Sequence, residues 1–364
     1  MRLSESIDPD SEWALFCEAA RPVFHHGKSV LGPEVEMLEE EMAKWLQTKY
    51  AVGCNSGFGA HLISLLALDL QPGDRVLVPA FAPSDLVGIL LRKKLKPVLI
   101  DIRADDFQMD VRELARHIDD TIKAIIVHHL FGGMVDMHEV MHVAGNIPVI
   151  EVLTYSLGAR IGDRYAGTFG TLGTVDLLTT MGARGDAGML WTNDGYLAEK
   201  LRKIRVENVI TEVYTGVESG NFHQDTVQAA YLLHKLGSWE KRARKRSEQI
   251  TVFAQTVRDR KIREIILPAF YNQFGTNLVV LAENRSELAE HLHMQGIETS
   301  TWWPLPIHLQ PGFQRLQHKR GDFPQAERVA KQLLQLPVPG NEEEIDRLVT
   351  SIAKFYSFRL QRVY

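Results

Sequence analysis

Short apolar runs alternate with amphipathic stretches along most of this chain. The segments 75–79, 97–101, 123–129 and 148–152 are apolar at most successive positions, which is typical of strands buried on both faces. The stretches between them carry apolar residues at helical spacing. Because buried strands that alternate with helices form parallel sheets, the pattern predicts an α/β fold, a three-layer sandwich with a mostly parallel central sheet.

The second half of the chain changes its pattern. Segments 175–180 and 188–192 predict two further strands, and 226–258 predicts one long amphipathic helix. Beyond it we expect, in order, a strand, a helix, a strand and two terminal helices, at 277–281, 286–295, 297–303, 323–336 and 342–356. This order predicts a large domain over residues 1–245 and a smaller C-terminal α+β domain over residues 246–364.

Composition excludes several classes of protein. The chain has 364 residues, a net charge of -5 and only two cysteines, Cys17 and Cys54. The acidic balance argues against a nucleic-acid partner, and two cysteines supply neither a disulfide framework nor a metal-ligand set. The longest apolar runs, such as 62–68, fall far short of the ~20 residues that cross a membrane. With a polar N-terminus as well, we expect a cytoplasmic protein.

A series of short strings in fixed order resembles the DegT-type sugar aminotransferases. The strings are AVGCNSG at 51–57, QPGDRVLVP at 71–79, VHHLFGGMVDM at 127–137, GDAG at 185–188, QAA at 228–230 and LPV at 336–338. The resemblance covers roughly residues 15–355. It implies a fold type I aminotransferase fold, pyridoxal phosphate as cofactor, and a place in deoxyamino-sugar and surface-polysaccharide biosynthesis from nucleotide-linked sugars.

The chain departs from that family at the positions that hold the cofactor. Residues 124–199 contain no lysine, although the family forms its Schiff base from a lysine in this stretch. Val152 stands where the family has the aspartate that pairs with the pyridinium nitrogen, and Phe58 replaces a phosphate-binding threonine. Pro83 replaces an aromatic residue that stacks on the ring. The resemblance, with these departures, predicts that no cofactor is bound and that aminotransferase activity is lost.

A residual ligand pocket is predicted from the matched positions, without an assigned catalytic residue. Asn221 resembles the family asparagine that reaches across a dimer to the partner's phosphate, and His308 resembles a substrate-side histidine. The predicted pocket comprises Ser56, Gly57, Phe58, Glu151, Tyr155, Thr180, Arg184, Asn221 and His308. No metal site is expected, because His128 and His129 point to opposite faces of a strand.

Three functions remain open from the sequence. The first is a pseudoenzyme that completes the site of an active paralogue in a heterodimer, since Asn221 persists; a homodimer is the other assembly. The second is an enzyme that acts on a nucleotide-linked sugar without pyridoxal phosphate, through Glu151, Tyr155, Arg184 or His308. The third is an ordinary pyridoxal-phosphate aminotransferase with a lysine from elsewhere, such as Lys200.

Overall fold

The computed structural model describes residues 1–3, 9–206, 218–269 and 277–362, and its centre is a seven-stranded sheet. The strands lie in the order β1-β9-β8-β5-β4-β2-β3. β9 runs antiparallel to both of its neighbours and the other pairs are parallel, so the prediction of a mostly parallel sheet is confirmed. Its strands are β1 Tyr50–Cys54, β2 Arg75–Pro79, β3 Lys96–Ile100, β4 Ile122–His128, β5 Val149–Val152, β8 Leu172–Asp176 and β9 Gly188–Thr192.

Helices cover both faces of this sheet. Val76 and Val78 point into one apolar cluster, whereas Leu77, between them, points into the other. This alternation buries every residue of a strand, which explains the continuous apolar runs. The helices of this part are α1 Pro9–His26, α2 Pro33–Leu46, α3 Gly57–Ala67, α4 Asp85–Arg92, α5 Val111–His117, α6 Met137–Ala144, α7 Leu177–Met181 and α8 Gly195–Arg205, and a small hairpin pairs β6 Arg160–Ile161 with β7 Arg164–Tyr165.

A 34-residue helix, α9 Thr226–Asp259, leads to a second, three-stranded sheet. The prediction of this helix over 226–258 is confirmed within one residue. The second sheet has the order β10-β11-β12, and helices α10 and α12 share an apolar cluster with it. Its elements are β10 Ile265–Ile266, β11 Leu278–Ala282, α10 Arg285–Met294, α11 Pro324–Gln332, β12 Leu333–Leu336 and α12 Glu342–Arg362.

Three predicted elements differ from the structure. Segment 175–180 is the end of β8 followed by the short helix α7, because Asp176 caps a helix there. Segment 297–303 is not a strand, and its ladder is reduced to a single bridge between Ser300 and Gln335. Segment 323–336 is helix α11 followed by strand β12, since the last apolar residues pair with β11.

The carboxyl ends of β1, β2, β4, β5 and β8 open onto one edge of the large sheet, where parallel α/β sheets commonly bind ligands. The loops after Pro79, Val152 and Asp176 therefore surround a shared crevice. Over the described ranges, the helices are all too short or too polar to traverse a lipid bilayer.

Candidate functional site

The start of α3 forms one side of the crevice. The Ser56 side chain caps this helix, and its Oγ accepts a hydrogen bond of 3.0 Å from the amide of Gly59. Gly57 is the first helical residue, and Phe58 follows it with 41% of its surface exposed. Free amides at a helix start favour an anion. Three predicted pocket residues therefore lie together at a helix start.

A carboxylate lies directly against this helix start. Asp176 ends β8 and caps α7, where its Oδ1 accepts a 2.7 Å hydrogen bond from Thr179. A methyl group added to Gly57 would lie 2.5 Å from Oδ2 of Asp176. The glycine is required because its hydrogen permits this close packing. The negative charge of Asp176 opposes the attraction of the helix start for an anion.

Thr180 and Tyr155 line the next part of the crevice. The Thr180 hydroxyl lies 2.7 Å from the carbonyl oxygen of Thr154 and ties α7 to the loop after β5. Tyr155, the next residue in that loop, is largely buried. Burial raises the pKa of the Tyr155 phenol above its usual range, and the charges of Asp176 and Asp85 add to the effect. Tyr155 is therefore neutral at physiological pH.

Aromatic rings from both halves of the chain meet above these residues. The Trp302 ring lies 4.5 Å from Tyr155, and the Trp303 ring lies 5.2 Å from Phe81. Phe131 contacts both tryptophans, at 5.8 and 6.2 Å. We call Phe81, Phe131, Tyr155, Trp302 and Trp303 the aromatic wall. It offers broad apolar ring surface at the end of the sheet.

Glu151 belongs to the framework of the sheet edge rather than to the open crevice. It is fully buried, and Nε2 of His129 lies 3.0 Å from its Oε2. Its two oxygens also accept hydrogen bonds of 2.8, 2.8 and 2.6 Å from the amides of Gly167, Phe169 and Gly170. With four donors, this carboxylate has its hydrogen-bonding capacity filled by the protein itself.

Two other predicted residues point away from the helix start. Arg184 extends to helix α1, where its Nη2 lies 3.0 Å from Oε2 of Glu12. His308 is buried, and its Nε2 lies 3.1 Å from Oε1 of Glu327. The hydrogen bonds to Tyr231 and Glu12 raise the pKa of Arg184 above its usual range. Both side chains therefore lie in local polar contacts.

Asn221 lies beside the helix start, and its reach across a dimer stays a prediction. Its residue is exposed, and its carbonyl oxygen accepts a 3.2 Å hydrogen bond from the side chain of Asn55. The amide of Asn55 in turn donates to the carbonyl oxygen of Phe222, at 3.0 Å. The segment that carries Asn221 is thus tied to the end of β1, and its side chain is accessible to a second molecule.

The described residues contain no group of three or more side chains arranged to hold a metal ion. His129 is engaged with Glu151, and His138 packs against Phe169 at 5.3 Å on helix α6. His129 and His138 therefore have hydrogen-bonding and packing roles, respectively.

Sequence reasoning missed a polar cluster behind the aromatic wall. His61 on α3 and Asp85 on α4 approach to 3.4 Å between Nδ1 and Oδ2. His128, at the end of β4, is fully buried and lies 5.7 Å, ring to ring, from Tyr155. These three residues are far apart in the sequence and share no motif, so only the packing of α3 and α4 on the sheet reveals them.

Several known proteins resemble this chain in sequence and in fold. A model of the DegT/DnrJ/EryC1/StrS aminotransferase family matches residues 12–353. A pleiotropic regulatory protein of Geobacillus stearothermophilus is 35% identical over 92% of each chain. The dTDP-3-amino-3,4,6-trideoxy-alpha-D-glucose transaminase of Streptomyces venezuelae is 30% identical over 87% of this chain and 85% of its own.

Solved structures match over nearly the whole length. DesV of S. venezuelae, in complex with a ketimine intermediate, superimposes with a TM-score of 0.90 at 27% identity and covers 95% of both chains. NtdA of Bacillus subtilis, with bound cofactor PMP, has a TM-score of 0.85 at 24% identity and covers 95% of this chain and 82% of its own.

These comparisons correct the prediction that no cofactor is bound. That prediction is wrong, because the family is one of aminotransferases and the matched DesV structure holds a ketimine intermediate. Replacement of several side chains that hold the cofactor in the family does not by itself exclude the cofactor. A cofactor phosphate and ring can be held by many weak contacts, of which the lost side chains are only some.

The side chains present do not fit a lysine-bound form of that cofactor. Lys235 approaches the turn after α7, but it is 3% exposed and its Nζ lies 3.0 Å from the Tyr231 hydroxyl and 3.3 Å from Oε1 of Glu12. Lys200, on α8, pairs with Asp69, which follows the carboxyl end of α3. In the part of the chain that the structure describes, the capped start of α3 fits a phosphate, and the charge of Asp176 opposes it.

Proposed function

Because the chain belongs to the DegT/DnrJ/EryC1/StrS aminotransferase family, we propose that it serves nucleotide-sugar metabolism without completing transamination on its own. The observation that carries this proposal is the lysine-free segment 124–199, which supplies β5, α7 and most of the crevice. An aminotransferase needs an amine that forms and releases the Schiff base. Arginine cannot replace it, since a guanidinium stays protonated.

Nucleotide-linked sugars are the proposed class of ligand, because several relatives act on them. Curated relatives act on UDP- and dTDP-linked amino sugars, at 29% and 30% identity. The aromatic wall provides ring surface for a sugar or a base, and polar side chains lie behind it. Two free cysteines fit the reducing cytoplasm, where such sugars are made.

Thermal unfolding in the presence of nucleotide sugars tests the ligand class. We expect UDP-N-acetylglucosamine or dTDP-glucose to raise the melting temperature, because a ligand that binds only the folded state stabilises it. Free glucose at the same concentration is the control. The absence of any shift with both nucleotide sugars at millimolar concentration would reject the proposed ligand class.

A second candidate function is that of a partner for an active paralogue. Asn221 favours it, because this residue is exposed beside the helix start and can reach a neighbouring subunit. Co-expression with an active aminotransferase of the same organism tests it. We expect the two chains to co-purify and Asn221→Ala to lower the partner's rate without separating the chains. Two chains that never co-purify would reject this function.

A further inference from the structure

The cluster behind the aromatic wall is built from three separate elements. His61 comes from α3, Asp85 from α4 and His128 from the end of β4. His61 is 5% exposed and His128 is 0% exposed, whereas 35% of the Asp85 side chain is accessible. The two histidines are therefore shielded from solvent, whereas solvent reaches part of the Asp85 side chain.

Its hydrogen-bonding groups lack partners. Within the residues that the structure describes, neither ring nitrogen of His128 makes a hydrogen bond, nor does Nε2 of His61 or Oδ1 of Asp85. Buried polar atoms are nearly always paired, because an unpaired one costs free energy. Several unpaired atoms in one cluster indicate a ligand group that completes them.

The cluster lies against the aromatic wall. The His128 ring lies 5.7 Å from Tyr155 and 6.3 Å from Trp303. Trp303 has a φ of +40° and precedes Pro304, so its backbone is doubly disfavoured. Strain of this kind is retained where a side chain must be held in place, and it is enriched at binding sites.

The charges of the cluster favour a neutral ligand group. The neighbouring His61 and the backbone amide of Leu86 lower the pKa of Asp85 despite its burial, so it is ionised at neutral pH. Burial lowers the pKa of His128 to about 3, which makes this ring neutral. A neutral imidazole can donate from one nitrogen and accept at the other. A phosphate would meet the negative charge of Asp85, whereas a hydroxyl or carbonyl group would not.

We propose that His61, Asp85 and His128 form a hydrogen-bonding subsite for a neutral hydroxyl or carbonyl group of a sugar ring. The aromatic wall packs against the apolar face of the same ring, and the nucleotide lies outside the subsite. This inference rests on the proposed nucleotide-sugar function and names the part of the site that reads the sugar.

Calorimetric binding with matched probes tests the subsite. UDP-N-acetylglucosamine and dTDP-glucose report sugar contacts, and UDP and dTDP report nucleotide contacts alone. We expect His128→Leu to weaken binding of the nucleotide sugars about tenfold and to leave the nucleotides within about twofold, since one hydrogen bond is lost. His128→Gln, which keeps a donor and an acceptor, should recover part of the loss. His142→Leu, at an exposed position on α6, is the control.

The stability of the free protein separates a ligand subsite from a structural role. If the subsite is completed by a ligand, His128→Leu removes unpaired polar atoms and should raise the melting temperature of the free protein by about 1–2 °C. A lowered melting temperature with unchanged sugar affinity would overturn the inference while leaving the proposed function intact. Failure of the native protein to bind either nucleotide sugar would overturn both.

Discussion

At the scale of single residues, two buried polar side chains at the same sheet edge behave in opposite ways. Glu151 accepts hydrogen bonds from three backbone amides and lies within 3.0 Å of His129. His128, on the adjacent strand, has neither ring nitrogen paired among the residues described. Fully paired polar groups hold a fold together, whereas an unpaired buried group such as His128 needs a further partner, which we assign to a ligand. From the sequence alone, both residues appear as a polar side chain near the end of a buried strand.

Replacement of Glu151 tests its structural role. We expect Glu151→Ala to lower the free energy of unfolding by about 4 kcal/mol or more, because several buried donors lose their acceptor at once. Urea unfolding followed by circular dichroism measures the change. Glu139→Ala, at an exposed position on α6, should change stability by less than about 0.5 kcal/mol. A Glu151→Ala protein as stable as the native one would refute the structural role.

The buried His128 ring predicts a specific dependence of stability on pH. Burial, with smaller effects of His61 and His129, lowers its pKa from 6.5 to about 3 in the folded protein, while Asp85 opposes the shift. The unfolded chain therefore binds more protons between these two values, and stability falls as the pH drops below 6.5.

His128→Leu should remove that part of the acid sensitivity. We expect the difference in free energy of unfolding between pH 7.5 and pH 5 to be smaller in His128→Leu than in the native protein, by on the order of 1 kcal/mol. Urea titrations at the two pH values measure it. An identical pH dependence in both proteins would contradict a neutral, buried His128.

At the scale of elements, the periodicity of the sequence predicted the long elements well and the short ones poorly. Helix α9 and the strands of the large sheet follow from their apolar spacing, which packing on two faces imposes. The predicted strand at 297–303 failed because its apolar residues serve the aromatic wall rather than a ladder. The local pattern of apolar residues indicates that a segment is buried, but it does not indicate which other segment covers it.

The packing of α3 on the end of β8 gives an element-scale prediction. In Gly57→Ala, the added methyl would lie 2.4 Å from Cβ of Asp176, so we expect a loss of about 1–3 kcal/mol in stability. Asp176→Gly combined with Gly57→Ala should cost less than the two single changes added together, since the clash is shared.

A glycine within α4 provides the matched control. Gly88 has no heavy atom within 4 Å of an added methyl, so Gly88→Ala should leave the protein as stable or raise its stability by about 0.5–1 kcal/mol. Thermal unfolding of Gly57→Ala, Asp176→Gly, the double variant and Gly88→Ala measures both effects. Equal losses at Gly57 and Gly88 would show that the contact with Asp176 is not what excludes a side chain.

At the scale of the whole molecule, a family fold carries an altered crevice. The fold and the family follow from ordered strings such as 71–79 and 127–137 and are confirmed by matches over most of the chain. The site stays a prediction. Ser56, Gly57 and Asn221 were proposed because a motif carries them, whereas His61 and Asp85 were not proposed because tertiary packing alone brings them together.

Transaminase turnover by the purified chain tests the central claim most directly. The protein is supplied with saturating pyridoxal phosphate, L-glutamate and a UDP-linked 3-oxo sugar, and 2-oxoglutarate is measured beside an active relative as positive control. Because no lysine lies in segment 124–199, we predict no 2-oxoglutarate above that of a protein-free mixture. Sustained turnover, with a pyridoxyl group fixed to a lysine of this chain after borohydride reduction, would contradict the account.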